Sequence, residues 1–276
     1  MNTPHLGRIL WLFEASVIDP GELDAVRNHT DFVISDCVLD VQPGDLVIAR
    51  HTMWPWPRRV ETQVKRLGGT LLNDRRAYVY ADDPSSWSYD LDELTPKTYT
   101  DFSTLPTFPE HKGFIVKGAK ADKSRWNKMF AADKQQAINL LVEMNNNPRF
   151  DGQQIVAREY VPLKRLGCWD GKSCPVSMEF RLFFYGSRML SSGFYWPVDD
   201  AGLSSPPDAS IIPPSILSEA AERVSPNIPF FTLDVAQKED GNWIVIEISD
   251  GQRAGLSEND PEMMYSNLYK SLRGMT

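Results

Sequence analysis

The first 80 residues alternate short apolar runs with amphipathic segments. The run RILWLF at 8–13 and the run DLVIAR at 45–50 have the length and apolar content of buried strands. Further strands are predicted within 31–40 and at 71–73, and helices near 21–28 and over 57–67. Strands that alternate with helices at these lengths indicate βαβ units around a largely parallel sheet. We therefore expect a small α/β domain over residues 1–80.

The rest of the chain, residues 81–276, has a different pattern, in which strands predominate. Residues 82–112 are rich in Asp, Pro, Ser and Thr, which indicates a connecting stretch with room for a short helix. After it, strands are predicted at 113–117, 153–161, 178–185 and 188–196, a closing hairpin at 230–249, and helices at 124–145, 215–224 and 258–273. This mixture is typical of an α+β domain.

The closing hairpin brings two carboxylates onto neighbouring strands. Its turn is built on Asp240-Gly241, with Asp234 on the first strand and Glu247 on the second. Period-two alternation predicts one face with Trp243, Val245 and Glu247 and a second, buried face with Ile244, Ile246 and Ile248. If the face of Glu247 is also covered, this carboxylate needs an ion pair or a metal. Mg²⁺ suits two such oxygen donors; the alternative is an ordinary hairpin with two solvated acids.

Composition and charge limit the function classes. The formal net charge of −8 argues against general nucleic-acid binding. Six Lys/Arg between Lys112 and Lys128, with one acid, favour either a small anionic ligand or a solvated basic loop. The sequence contains no run of 18 apolar residues, so no membrane span is predicted. Three scattered cysteines and the absence of a signal-peptide pattern favour a reduced, cytoplasmic setting.

The groups that a nucleoside triphosphate needs follow one another along predicted strands. Lys117 ends the strand FIVK, Lys123 follows in a loop, and Arg181 lies on a later strand, so three cations are available for phosphates. The segment EYV (159–161) precedes Pro162, which cannot continue the hydrogen-bond ladder of a sheet. The strand edge beside it can therefore remain unpaired and bind a nucleotide base. No P-loop and no protein-kinase motif is present.

Four segments carry a resemblance to a known family: FIVKGAKADKSRWNKMF, IVAREYVPL, MEFRLFFYGSRMLSSGFYW and FTLDVAQKEDGNWIVIEISDGQRAGL. Over residues 73–272 they resemble the ATP-grasp fold, and within it the R-two-K clade of small bacterial and phage proteins. The resemblance implies two α+β lobes that grip a nucleotide, a nucleotide-binding lobe at about 110–162 and a C-terminal lobe at about 163–276. The residues before them are similar to a pre-ATP-grasp α/β domain.

The resemblance also implies residue roles. Lys117 and Lys123 would contact phosphates, and Arg181 would face the terminal phosphate or an acyl phosphate. Backbone groups of Glu159, Tyr160 and Val161 would read the adenine edge. The implied Mg²⁺ ligands are Asp234 and Glu247, with Ser249 in the place of a more usual Asn and Asp250 as a substitute. Arg158 is either catalytic or paired with an acid across the sheet, and Gln252 and Arg253 follow where an acceptor substrate approaches.

The implied activity is ATP- and Mg²⁺-dependent ligation of a carboxylate to an amine through an acyl phosphate. The partners would be ATP, an unidentified carboxylate and an amine acceptor, either of them small or part of a peptide or protein. Two other readings stay open: a chaperone-like protein that binds nucleotide and a partner without ligase turnover, and a phosphotransferase. The coincidence of Lys117, Arg181, Asp234 and Glu247 favours catalysis.

Overall fold

The computed structural model describes residues 7–16, 18–50, 57–107, 112–118, 128–168, 175–199 and 201–275. These residues form three four-stranded sheets and a two-stranded sheet. Lys123 lies outside the described residues, so its predicted role stays a prediction. None of the described helices is both long enough and apolar enough to cross a lipid bilayer.

The N-terminal sheet is parallel and has the order β2-β1-β3-β4. Its apolar runs are the strands that the sequence predicts, and β1 is buried along most of its length. The elements are β1 (Ile9–Phe13), α1 (Glu22–His29), β2 (Val33–Ser35), β3 (Leu46–Arg50), α2 (Pro57–Arg66) and β4 (Thr70–Leu71). The prediction of a parallel α/β unit in this part of the chain is confirmed.

The middle of the chain forms an antiparallel sheet, preceded by two helices. Its elements are α3 (Arg75–Asp82), α4 (Pro84–Leu91), β5 (Thr98–Tyr99), β6 (Phe114–Lys117), β7 (Phe130–Ala131), α5 (Lys134–Asn145) and β8 (Val156–Glu159). The order is β5-β8-β6-β7. Phe114 and Val116 pack with Ala137 and Met144 of α5 in a small core.

The predicted helix at 124–145 is wrong over residues 129–133, and residues 124–127 lie outside the described part of the chain. Among the described residues the helix begins at Lys134, and Phe130–Ala131 forms a strand with β6. The cause is local, because the side chain of Asp133 accepts a hydrogen bond from the Gln136 amide and so acts as the N-cap. The stretch 82–112 also holds more structure than a connection, since β5 adds an edge strand to the sheet.

The last part of the chain forms the C-terminal sheet, which is antiparallel with the order β12-β11-β13-β14. Its elements, with a short hairpin before them, are β9 (Arg165–Cys168), β10 (Pro175–Ser177), β11 (Glu179–Tyr185), β12 (Arg188–Phe194), α6 (Pro214–Val224), β13 (Phe230–Gln237), β14 (Trp243–Asp250) and α7 (Pro261–Leu272). The helix and hairpin predictions for this part are confirmed within a few residues.

One face of the C-terminal sheet is mainly apolar. Leu182, Leu233 and Val245 pack there with Trp87 of α4 and Val224 of α6. A sheet with one face buried in this way fixes the register of its strands, because a slip of one residue would expose the whole apolar set. This core therefore holds the opposite face in place.

The opposite face is divided between packing and polar side chains. Toward one end, Phe183 and Phe230 join Trp11 of β1 and Tyr265 of α7 in a core shared with the N-terminal sheet. Farther along the same strands the side chains become charged, and this end meets the middle sheet. The domain boundary near residue 80 stays a prediction, because the N-terminal and C-terminal sheets share this core.

Candidate active site

A pocket of about 510 Å³ lies between the middle sheet and the C-terminal sheet. Six residues that the sequence singled out line it: Lys117, Arg158, Glu159, Tyr160, Val161 and Glu247. The apolar part of the wall includes Ile115, Met129, Leu163 and Ile246. The pocket therefore combines an apolar slot with a charged end, as a site for a base and its phosphates requires.

A β-bulge in β14 directs Glu247 toward this pocket. Asp234 pairs with Glu247 and Val235 pairs with Val245, so Ile246 is an extra residue in β14. As a result Val245 and Ile248, three residues apart, both lie in the apolar core. The predicted alternation is therefore wrong beyond Val245: Ile246 is not a core residue but lines the pocket beside Glu247.

One ion pair lines the charged end of the pocket, and a second lies beside it without lining the pocket. Lys117 Nζ lies 2.7 Å from Glu247 Oε1. Arg181 donates from Nε and Nη2 to the two carboxylate oxygens of Asp234, at 2.8 and 2.7 Å. The sheet register explains this arrangement, because Arg181, Asp234 and Glu247 are cross-strand partners in one line over β11, β13 and β14.

Arg181 is held on two further sides. Its Nη1 donates to the Gly255 carbonyl at 3.0 Å, and its guanidinium lies 4.9 Å from the ring centroid of Tyr195. The neighbouring Glu179 carboxylate accepts from the Ser177 hydroxyl at 2.8 Å. The guanidinium of Arg181 is therefore fixed by Asp234, Gly255 and Tyr195.

The charges of the site stabilise one another. Burial raises the pKa of Glu247, but the cations of Lys117, Arg181 and Arg158 outweigh burial, and the pKa lies below the ordinary glutamate value. Burial lowers the pKa of Arg158 to about 10, although the charge of Glu247 acts in the opposite direction. Glu247 is therefore ionised at neutral pH, and so is Arg158.

A family model for the ATP-grasp domain, family 3 of the R-two-K clade, matches residues 104–268, which is more than half of the chain. The chain belongs to this ATP-grasp family. No curated protein sequence matches the chain significantly. The ATP-grasp fold class and the family that the sequence motifs suggest are both confirmed.

Solved structures of ATP-grasp ligases have the same fold over almost the whole chain. D-cycloserine synthetase DcsG matches at a TM-score of 0.62 and 14% identity, covering 96% of this chain and 100% of that chain. The RimK domain ATP-grasp protein from Sphaerobacter thermophilus matches at 0.53 and 12%, covering 95% and 99%. The macrocyclase MdnC with precursor peptide MdnA, from Microcystis aeruginosa, matches at 0.54 and 12%, covering 96% and 99%.

The donor set of this ATP-grasp pocket fits Mg²⁺ only together with a nucleotide. The described residues contain no group of three or more His, Cys, Asp or Glu side chains that could hold a metal ion alone. Asp234 and Glu247 are hard oxygen donors on paired strands, and Mg²⁺ commonly takes one or two carboxylates with phosphate and water as its other ligands. The residues present therefore fit a nucleotide-bound Mg²⁺.

The two additional oxygen donors differ in position. Ser249 lies two residues after Glu247 on the same strand, is half-buried, and is not among the lining residues of the pocket. Asp250 is fully buried, and its Oδ1 accepts from Asn73 at 2.7 Å and from the Gln252 amide at 2.9 Å. Asp250 is thus bonded to the N-terminal part through Oδ1, and the expectation that it substitutes as a metal ligand stays a prediction.

The segment after β8 forms the apolar end of the pocket. The Tyr160 amide donates to the Gly113 carbonyl at 2.8 Å and the Glu159 amide donates to the Lys97 carbonyl at 2.9 Å. The carboxylate of Glu159 accepts from the Tyr99 hydroxyl at 2.8 Å. The side chain of Glu159 therefore anchors the segment to β5, and its contribution to a base would come from the backbone.

Sequence reasoning missed the residues that hold β14 against the middle sheet. Thr95 donates from its hydroxyl to the Val245 carbonyl, and Trp87 packs under Arg158. Both come from the stretch before β5, about 150 positions from β14 along the chain. The sequence signal is weak, since a threonine before a proline has many ordinary roles.

Proposed function

We propose that this ATP-grasp protein is an ATP-dependent carboxylate–amine ligase that works through an acyl phosphate. The observation that carries the proposal is the ion pair of Lys117 and Glu247 at one end of a pocket whose other end is apolar, with the ion pair of Arg181 and Asp234 next to Glu247 on the same sheet. A nucleotide with a bound Mg²⁺ supplies phosphates for the cations and a metal for the carboxylates. The base occupies the apolar end, against Ile115, Met129 and the backbone of Glu159 to Val161.

The proposed roles of the site residues follow from their charges. Asp234 and Glu247 would hold Mg²⁺, and Ser249 would add a weaker oxygen donor. When it is bound, Mg²⁺ neutralises phosphate oxygens and polarises the transferred phosphoryl group. Lys117 and Arg181 exchange their carboxylate partners for phosphate oxygens, and the fork of Arg181 faces the terminal phosphate. Lys123 is proposed as a second phosphate contact.

The proposed reaction has two steps. The γ-phosphoryl group leaves ADP and forms a bond to a carboxylate oxygen of the first substrate, which gives an acyl phosphate. The nitrogen of an amine then attacks the acyl carbon, inorganic phosphate leaves, and the nitrogen loses a proton. The protein contributes orientation and charge stabilisation, and neither step requires a side-chain nucleophile.

The proteins that share the fold act on both small and larger molecules. D-cycloserine synthetase is named for a small-molecule product, and the ATP-grasp ligase PsnB has been solved with a phosphomimetic variant of a minimal precursor, Mg and ADP, at a TM-score of 0.51. The present pocket is sized for the nucleotide, so the carboxylate and the amine approach from its charged end. Cys37 and Cys168 are free and exposed, which fits a reducing compartment such as the cytoplasm.

Hydroxylamine trapping tests the proposal. The protein, Mg²⁺–ATP and a panel of carboxylic acids, including amino acids and peptide C-termini, are incubated with hydroxylamine in place of the amine. A ligase of this kind releases ADP and yields a hydroxamate with at least one acid, and Glu247→Gln does neither. The matched control is Asp240→Asn, an exposed acid in the turn of the same hairpin, which keeps wild-type yield.

ADP release that gives a stable phosphorylated product and no hydroxamate would point to a phosphotransferase. Nucleotide binding without ADP release, with every acid tested, would point to a binding protein. Either result contradicts the ligase proposal.

A further inference from the structure

The bulge at Ile246 lies on a strand edge that faces the middle sheet. Within the C-terminal sheet β14 is an edge strand that pairs with β13 only. Two consecutive carbonyl groups at the bulge are bonded from outside the sheet. The Val245 carbonyl accepts from the Thr95 hydroxyl at 2.8 Å, and the Ile246 carbonyl accepts from Arg158 Nη1 at 2.5 Å.

Thr95 and Arg158 also bond to each other. Arg158 Nη2 donates to the Thr95 hydroxyl oxygen at 2.7 Å, so that oxygen accepts from the guanidinium while its proton goes to Val245. Both side chains are buried, with 5% of each residue exposed. The guanidinium lies 4.9 Å from the ring centroid of Trp87, which is fully buried. The pair is therefore fixed on three sides.

The surroundings of Arg158 argue against a structural ion pair across the sheet. Among the described residues no carboxylate lies within ion-pair distance of its guanidinium, in contrast to Arg181 and Lys117. The nearest relevant charge is Glu247, which follows the bulge and interacts with Arg158 through space. A buried cation is costly unless hydrogen bonds and a nearby opposite charge offset the cost. Here the hydrogen bonds go to the bulge backbone.

The direction of Glu247 depends on this bulge. If Ile246 were a regular strand residue, strict alternation after Val245 would put residue 247 on the apolar face, where Val245 and Ile248 now lie. With the bulge, Glu247 faces Lys117 and the pocket. Whatever holds the bulge therefore aims the carboxylate.

We propose that Thr95 and Arg158 are positioning residues, which hold the Ile246 bulge from the middle sheet and thereby aim Glu247 at the nucleotide-bound metal. This inference rests on the proposed function for its metal, and it gives Arg158 a role through Glu247 in place of direct phosphate contact. Thr95 is the better probe of the two, because it does not line the pocket.

The variants follow from the contacts. Thr95→Val keeps the shape but removes the hydroxyl, which leaves the Val245 carbonyl and one donor of Arg158 without their partner. Thr95→Ser keeps the hydroxyl and should restore the wild-type behaviour. Thr98→Val is the matched control, because the Thr98 hydroxyl donates only locally, to the Pro96 carbonyl at 3.0 Å.

The first measurement separates metal affinity from nucleotide affinity. Mn²⁺ binding in the presence of ADP is followed by electron paramagnetic resonance, and ADP binding is measured separately in EDTA. Thr95→Val should weaken Mn²⁺ binding about tenfold, the equivalent of one lost buried hydrogen bond. ADP affinity in EDTA should stay at the wild-type value, and Thr95→Ser and Thr98→Val should match wild type in both assays.

The second measurement reads the bulge without any ligand. Hydrogen exchange of the peptide covering 243–250 should be faster in Thr95→Val than in wild type and unchanged in Thr98→Val. Wild-type Mn²⁺ affinity in Thr95→Val, or unchanged exchange, overturns the positioning role. Equal losses of Mn²⁺ and of metal-free ADP binding also overturn it, since a general loosening of the pocket would then be the cause. Absence of Mn²⁺–ADP binding in wild type contradicts the proposed function instead.

Discussion

The molecule contains two clusters of buried ion pairs, and the two clusters differ in their proposed roles. The scaffold cluster consists of Arg50, Glu22, Tyr265 and Gln252, where the N-terminal sheet meets α7. The pocket cluster consists of Lys117, Glu247, Arg181 and Asp234, where the middle sheet meets the C-terminal sheet. Both join distant parts of the chain, and both pair a guanidinium with a carboxylate in a bidentate contact.

The scaffold cluster is closed. Arg50 donates from Nε and Nη2 to Glu22 at 2.8 and 2.6 Å, and from Nη1 to the Gln252 carbonyl at 3.0 Å. Glu22 also accepts from the Tyr265 hydroxyl and from the Asp19 amide. Arg50 and Glu22 are 2% and 0% exposed. The charged groups of this cluster are bonded to one another, and none of its four residues lines the pocket between the middle sheet and the C-terminal sheet.

The pocket cluster is open on one side. Glu247 is half-buried, with 29% of its side chain exposed, and it lines the pocket together with Lys117. The two side chains of an ion pair at a pocket wall can separate at small energetic cost when a charged ligand binds. The charges of the ligand then replace the partner that each side chain loses. The comparison teaches that burial of an ion pair does not by itself indicate a site, and that exposure to a cavity is what makes Lys117 and Glu247 candidates.

The largest effect on stability should come from the scaffold cluster. Glu22→Gln removes the charge opposite Arg50 and leaves that cation buried, which costs about 3–5 kcal/mol of unfolding free energy. Urea unfolding measures the loss. Affinity for Mg²⁺–ADP, measured while the variant is folded, should stay at the wild-type value; a specific loss of nucleotide binding would contradict the division between the clusters.

Glu247→Gln should have the largest effect on activity. It keeps the shape of the side chain but removes one charge that would hold the metal, so turnover should fall by about two to three orders of magnitude. The far-ultraviolet circular dichroism spectrum should be unchanged. ADP release at saturating Mg²⁺–ATP is the assay, with Asp240→Asn as the control. Full activity of Glu247→Gln would remove Glu247 from the metal site.

Arg181→Lys tests geometry at constant charge. Lysine cannot reproduce the fork that binds both oxygens of Asp234 and reaches the Gly255 carbonyl. We expect kcat to fall about tenfold to a hundredfold with a smaller change in the KM for ATP, since the fork is assigned to the terminal phosphate. An unchanged kcat with a lowered melting temperature would make Arg181 a structural residue like Arg50.

The smallest predicted effect is a shift in pH dependence. Lys117 is the largest of the charge contributions that hold the pKa of Glu247 below its ordinary value against burial. In Lys117→Met that pKa rises, so Mn²⁺ affinity in the presence of ADP should begin to fall at a higher pH than in wild type.

The contribution of Glu247 to the stability of the wild-type protein changes with pH in a defined direction. Because its folded pKa is lowered, that contribution is present above the ordinary glutamate pKa and is lost as the pH falls through the folded value. Lys117→Met should therefore flatten the acid limb of the stability curve. Identical pH profiles for the variant and wild type, for both affinity and stability, would show that Lys117 does not act on Glu247.

Much of the fold follows from the sequence, because apolar runs and turn residues mark its strands. The run 8–13 is buried as predicted, and the Asp240-Gly241 turn closes the hairpin that carries Asp234 and Glu247. The set of charged residues in the pocket is also visible in the sequence, since each stands at a strand end or in a short motif. Their role as ligand contacts stays a prediction.

The pairing within the pocket is not visible in the sequence. In the sequence, an isoleucine at a bulge cannot be distinguished from an isoleucine in a regular strand. Ile246 therefore does not indicate that the alternation of side chains changes after it. Arg50 shows the same limit. It ends an apolar strand, and its sequence does not indicate that Glu22 from α1 and the Gln252 carbonyl, distant in sequence, bind it in the interior. Such contacts depend on how the elements dock.

Thermal unfolding with ADP is the most direct test that the pocket binds a metal–nucleotide complex. Wild type and Glu247→Gln are each melted with ADP in Mg²⁺ and with ADP in EDTA. A ligand at about 100 times its dissociation constant adds roughly 2.7 kcal/mol, which is a shift of a few degrees for a chain of this size. We predict this shift for wild type in Mg²⁺, and a clearly smaller one for wild type in EDTA and for Glu247→Gln in Mg²⁺. Equal shifts in all of these samples, or no shift in wild type, would contradict a metal–nucleotide site at Asp234 and Glu247.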